Sequence, residues 1–197
     1  MPFVFKRLAL FMSIAAAFAA DKEPAFHAPA AADMPHRQIT APLTVGVDAY
    51  VFGDKVKVAF GKVVPAQYGV LPVLVVIQNA GDKTIRLEHL KVEYIGPGHA
   101  RVDATAPRDV RYAKGPDRPP ILVGPRGPVA GRAKKNPLDA WEIEGRAFAA
   151  KMLPPGQTAS GFFYFQTELE TGATLYLSGL TEAETGKELL YFEIPLN

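Results

Sequence analysis

The sequence predicts an all-β fold, an antiparallel sandwich of about eight or nine short strands with one short helix and one long Pro/Gly loop. Three observations carry this. Apolar residues recur at every second position in runs bounded by Gly, Pro, Asn and Asp, the period of a half-buried strand. The 197 residues include 17 Gly and 18 Pro, too many breakers for a helical bundle. The 48% hydrophobic content supports a core and excludes wholesale disorder.

The chain opens with a segment that does not belong to the domain. Lys6 and Arg7 precede the 13-residue run LALFMSIAAAFAA, and Ala17 and Ala19 supply the small residues a signal peptidase reads. Residues 1–19 are therefore expected to be a signal peptide, cut between Ala19 and Ala20, and the protein to be periplasmic or secreted. The run is shorter than the ~20 apolar residues a membrane-spanning helix needs. There is no cysteine, which rules out disulfide staples, thiol catalysis and Cys-ligated zinc. Residues 20–42, with Pro24, Pro29, Pro35 and Pro42 among alanines, have no apolar period. They predict a flexible linker, which leaves 43–197 as the domain.

Each later element has its own signal. Val45, Val47, Ala49 and Val51 alternate with Gly46, Asp48 and Tyr50, and Val56, Val58 and Phe60 alternate with Lys57 and Ala59. Both runs read as strands. Val73–Ile77 is apolar on both faces, so its strand should be central and covered twice. Asn79-Ala80-Gly81-Asp82 then turns the chain. Over 84–95 the apolar parity changes, which predicts one strand with a bulge near Glu88-His89 and a half-buried His89. Arg101–Ala104 reads as a short strand. From Gly115 to Gly131 nine of 17 residues are Gly or Pro, a density that predicts a loop without regular elements. Asn136-Pro137-Leu138-Asp139 reads as a helix start, with Trp141 facing the core; a strand over 137–144 is the rival. Strands follow at 146–152 and 161–167, joined by Leu153-Pro154-Pro155-Gly156-Gln157. A last hairpin pairs 174–180 with 188–196 around Glu184-Thr185-Gly186-Lys187, where Gly supplies the left-handed residue.

Two segments carry a resemblance. One is VLVVIQNAGDKTIRL, residues 73–87. The other is Pro155-Gly156 followed by Gly161-Phe162-Phe163-Tyr164-Phe165. Together they resemble exported bacterial immunoglobulin-like β-sandwich domains of unknown function, over about half of the mature domain. The resemblance implies an immunoglobulin-like sandwich serving as a binding or scaffolding module. Its motifs are fold motifs and assign no site residues. The Pro/Gly loop and the Trp141 segment depart from it.

Chemistry-bearing patterns are sparse. No glycine cluster sits between a strand and a helix as a phosphate loop requires. Neither Ser160 nor Ser178 lies in a nucleophile elbow. Glu142/Glu144 and Glu168/Glu170 read as solvated faces. Asp48, Asp54 and Asp82 lack the spacing of a calcium loop. No catalytic, cofactor or metal residue is assigned.

Charge is the feature that stands out. Without residues 1–19 the chain has 20 basic and 20 acidic residues, so nothing draws it to nucleic acid. Residues 108–138, however, hold Arg108, Arg111, Lys114, Arg118, Arg126, Arg132, Lys134 and Lys135 against Asp109 and Asp117, a net +6. Residues 139–197 hold nine acids against three bases, a net −6. Either this basic loop is tied internally to the acidic C-terminal sheet, or it projects toward an anionic envelope component or an acidic protein. The expected function is a non-enzymatic interaction or scaffold module using those eight residues. Two alternatives stand beside it. A carbohydrate-binding module would need exposed aromatics, with Tyr50, Tyr68, Tyr112 and Trp141 as candidates. An enzyme of unrecognised type would need a pocket with converging Glu, Asp and His.

Overall fold

The structure, a computed structural model, describes residues 26–113 and 136–197, with the backbone of 121–124 and 127–130. The expected signal peptide, Lys114, Arg118, Arg126, Arg132, Lys134 and Lys135 lie outside the described residues. In chain order the strands are β1 His36–Thr40, β2 Leu43–Ala49, β3 Leu71–Asn79, β4 Ile85–Arg86, β5 Lys91–Ile95, β6 Arg101–Asp103, β7 Ile121–Gly124, β8 Gly127–Ala130, β9 Met152–Leu153, β10 Thr158–Phe165, β11 Thr174–Ser178, β12 Thr181–Glu182 and β13 Phe192–Pro195. Two short α-helices, α1 Asp54–Phe60 and α2 Trp141–Gly145, and 3-10 turns at Ala31–Asp33, Pro65–Tyr68 and Pro107–Tyr112 complete the described elements.

The fold is all-β, with antiparallel pairing in every named sheet. One sheet has the order β1-β2-β3-β10 and a second the order β13-β11-β5-β6. Alternation places the odd-numbered residues of β2 and β3 in a core shared with Val92, Tyr94, Leu175, Leu177, Phe192 and Ile194 of the second sheet. The even-numbered Leu74 and Val76 of β3, with Phe162 and Tyr164 of β10, form a second core on the opposite face. There Met34, Val56, Phe60, Val110, Leu138 and Ile143 cover them. β3 is therefore interior and buried on both faces, as its doubly apolar sequence predicts; Val75 pairs with Val47 on one side and Gly161 on the other.

Asn79 ends β3 with every polar atom engaged. Its Nδ2 donates to Lys83 O at 2.8 Å and Leu153 O at 3.1 Å, and its Oδ1 accepts from Gly81 N at 3.0 Å. One buried amide thus ties the expected Asn-Ala-Gly-Asp turn to the Pro154–Gln157 turn across the sheet. The Glu184–Lys187 turn also forms as expected, with Gly186 at φ 69°.

Several expectations are corrected. Residues 20–42 are not all linker: β1 pairs with β2, and Ala31 and Met34 are buried. The absent Cβ of Gly46 makes the room, because an ideal Cβ there would lie 2.4 Å from Met34 Cγ. Residues 56–60 belong to helix α1, not to a strand. Val56, Ala59 and Phe60 fall on one buried helical face, while Val58 is exposed. The bulged strand over 84–95 is two strands, β4 in a three-stranded sheet with β9 and β12, and β5 in the second large sheet. The parity change marks a change of sheet, and His89 is exposed in the intervening turn. Residues 146–152 yield β9 only at their end; Ala147 makes an isolated parallel bridge to Phe162. The Pro/Gly loop contains regular structure after all, a 3-10 turn at 107–112 and the β7–β8 hairpin. A two-stranded ribbon leaves alternate N–H groups pointing outward, so proline at such positions removes no ladder bond. The helix near Asn136 begins later than expected, at Trp141, and Trp141 is 68% exposed; Leu138 and Ile143 take the core positions instead.

Candidate functional site

The candidate site is the base of the 114–135 segment, where the 107–112 turn meets α2. Proline at the start of that turn fixes its first φ, and Val110 anchors it in the second core. Arg111 then reaches across to the acidic C-terminal half. Its Nη1 lies 2.9 Å from Asp139 Oδ1, and its Nη2 contacts Glu144 Oε1. Asn136 closes the ring from the other side, donating from Nδ2 to Arg111 O at 2.6 Å while its Oδ1 accepts from Leu138 N at 3.0 Å. Ala113 and Asn136, the residues flanking the segment, are thereby held at one place on the second core. The hydrogen bond that Arg111 donates to Glu144, and then the charge of Asp139, raise the Arg111 pKa above its ordinary value.

Two large aromatics stand beside this clasp. Trp141 is 68% exposed and Tyr112 65%. Arg146 supports the site from behind. It donates from Nη1 to Val58 O at 2.7 Å and also to Ala59 O, which caps two carbonyls at the end of α1. Its guanidinium lies 5.1 Å from the Phe26 ring and 5.7 Å from the Trp141 ring. Beneath, the Tyr164 hydroxyl donates to Ile143 O at 2.7 Å, and burial drives its pKa up.

Of the eight basic residues singled out from sequence, the described ones divide. Arg111 is used internally, in the ion pairs that tie the turn to α2. Arg108 is exposed. Among the four candidate aromatics, Tyr50 is buried, with a hydroxyl pKa raised by burial and by Asp48 to about 12. Tyr68 is half-buried, and Tyr112 and Trp141 are exposed. Sequence reasoning missed Arg146, whose signal was its place just after Trp141 and Gly145.

Several cavities open among the described residues; two of them hold a lysine and a glutamate each, Lys187 with Glu188 and Lys151 with Glu88. Another, of ≈ 270 Å³, opens where β2 leaves, β3 enters and β10 leaves; it is lined by Val51, Phe52, Leu71 and Leu169, with Glu168 its one ionisable residue. Among the described residues, no three His, Asp or Glu come together as metal ligands. Among the described residues the resolved shifts move away from neutrality: Tyr50, Tyr94, Tyr164, Lys83, Lys91 and Arg111 upward, Glu182 downward. Structural pairing and burial produce that pattern. Among the described residues no helix is long and apolar enough to cross a membrane.

No family model matches the chain, and no curated protein does. A solved structure described as the X-ray structure of Northeast Structural Genomics Consortium target SoR45 aligns at 11% identity with a TM-score of 0.34, over 77% of this chain and 85% of that one. A likeness that slight bears on neither fold nor function.

Proposed function

We propose that this protein is an exported, non-enzymatic interaction module, an immunoglobulin-like sandwich that presents the basic 114–135 segment to an anionic partner. The observation that carries the proposal is the clasp at the segment's base. Arg111, Asp139, Glu144 and Asn136 fix the two flanks of the segment to the sandwich. One cation is enough for that, and exposed ion pairs contribute only about 0–1 kcal/mol each. Stability alone gives no reason for seven further cations in residues 108–138. Arginine forks bind phosphate and carboxylate bidentately, which suits an anionic envelope component or an acidic protein.

The test replaces Arg118, Arg126, Arg132, Lys134 and Lys135 together with Gln. The variant should melt within a few degrees of the wild type and lose salt-sensitive retention on anionic vesicles or acidic polysaccharide. Wild-type protein that is not retained on either at low ionic strength refutes the proposal. A large loss of stability would instead make the segment an internal strap against the acidic C-terminal half.

A further inference from the structure

Beside the clasp lies a large side chain that takes no part in its ion pairs. Trp141, the chain's one tryptophan, lies with its six-membered ring against Gly145; an ideal Cβ there would meet Cε3 at 2.9 Å and Cζ3 at 3.0 Å. The missing Cβ lets the indole settle onto its own short helix. Arg146, itself fastened to the α1 carbonyls, lies over the ring. The indole is thus held in place, yet 68% of the residue stays in solvent. Exposing so large an apolar surface forgoes the stabilisation burial would bring.

We infer that Trp141 is a stacking platform for a pyranose ring, and that the module's partner is a polysaccharide. The C–H face of a sugar ring packs on an aromatic plane, and its hydroxyls need fixed donors and acceptors at the rim. Asp139 and Glu144, both held by Arg111, lie two residues before and three after Trp141, and the exposed Tyr112 follows Arg111. A lipid surface fits less well. Inserting Trp141 into head groups would strip water from Asp139 and Glu144, whereas sugar hydroxyls replace that water with hydrogen bonds. The preference for acidic over neutral chains rests on the reading of the basic segment given above; the platform does not.

The experiment uses the mature chain and the emission of Trp141, which reports on that residue alone. Polygalacturonate, dextran and phosphatidylglycerol vesicles are titrated separately, and retention is measured by affinity electrophoresis. Polygalacturonate should change the emission saturably. Trp141→Ala should weaken retention about tenfold at an unchanged melting temperature, and Trp141→Phe should recover part of it. Equal binding to dextran keeps the platform and overturns the anionic reading. Binding to vesicles alone overturns the platform and keeps the anionic reading. Retention on polygalacturonate that is undiminished in Trp141→Ala, or no retention on any of the three, also overturns the platform.

Discussion

An ideal Cβ on Gly161 would lie 2.4 Å from the Cα of Phe148. The chain leaving α2 runs against β10 at this point: Phe162 N–H donates to Arg146 O at 2.9 Å, and Phe148 N–H to Phe162 O at 3.1 Å. The glycine that opens the Gly-Phe-Phe-Tyr-Phe strand is there because another backbone passes over it.

Gly161→Ala should therefore cost about 1–3 kcal/mol or prevent folding, since the obstacle is main chain and cannot rotate away. Gly156 is the control. It has φ +71° and nothing within 4 Å of an added Cβ, so Gly156→Ala should show conformational strain alone, about 1 kcal/mol. Urea denaturation of the two variants decides the matter. Equal losses would mean that the approach at Gly161 carries no weight.

The N-terminal segment should behave as core. Met34 is fully buried over Gly46, and Phe26 packs 5.4 Å from the Phe162 ring and 6.3 Å from the Tyr50 ring. Met34→Ala should cost about 2–5 kcal/mol. Met152→Ala, at a residue 44% exposed, should stay within about 0.5 kcal/mol. A chain begun at Leu43 lacks β1 and this cover and should not give a cooperative melt. If it melts like a chain begun at Ala20, residues 26–42 are dispensable.

Acid should release one identifiable clasp. Glu182 Oε2 lies 2.8 Å from Lys83 Nζ and 2.7 Å from Thr185 Oγ1. The hydrogen bond from Lys83, then that from Thr185, hold its carboxyl below the ordinary 4.5. A folded pKa below the unfolded one means that the unfolded chain takes up the proton first. The stabilisation is then complete above about pH 4.5 and is lost as pH falls through the lower folded value. Glu182→Gln should make the melting temperature less steep in pH on that acid limb and leave the slope near neutrality unchanged. An acid limb identical to the wild type would show that the pair does not couple to folding.

The sequence exposed what depends on period and missed what depends on neighbours. β3 was legible because both of its faces are apolar, and the turns at Asn79 and Gly186 because their residues demand them. Helix α1 was misread because Val56, Val58 and Phe60 fall two apart; its true buried face uses Ala59, too small to stand out in an apolar count. The docking of Met34 was invisible because it depends on a glycine in another strand. Trp141 was expected to face the core from a helix starting at Asn136, but Leu138 and Ile143 reach the second core from either side of it. Of the site, Arg108 and Arg111 were marked by charge, whereas the division of labour between them comes from Asp139 and Glu144, 28 and 33 positions beyond Arg111.

The pairing of β3 with β10 joins residues 71–79 to residues 158–165, and the basic segment lies inside the chain they enclose. Closing a flexible loop costs entropy that grows only with the logarithm of its length, about 0.6 kcal/mol for each doubling. With Asn136 already bound to Arg111 O, residues added between 114 and 135 enlarge a small ring within the larger one. Outside the β7–β8 hairpin, the length of that segment can thus change at little thermodynamic cost to the sheets.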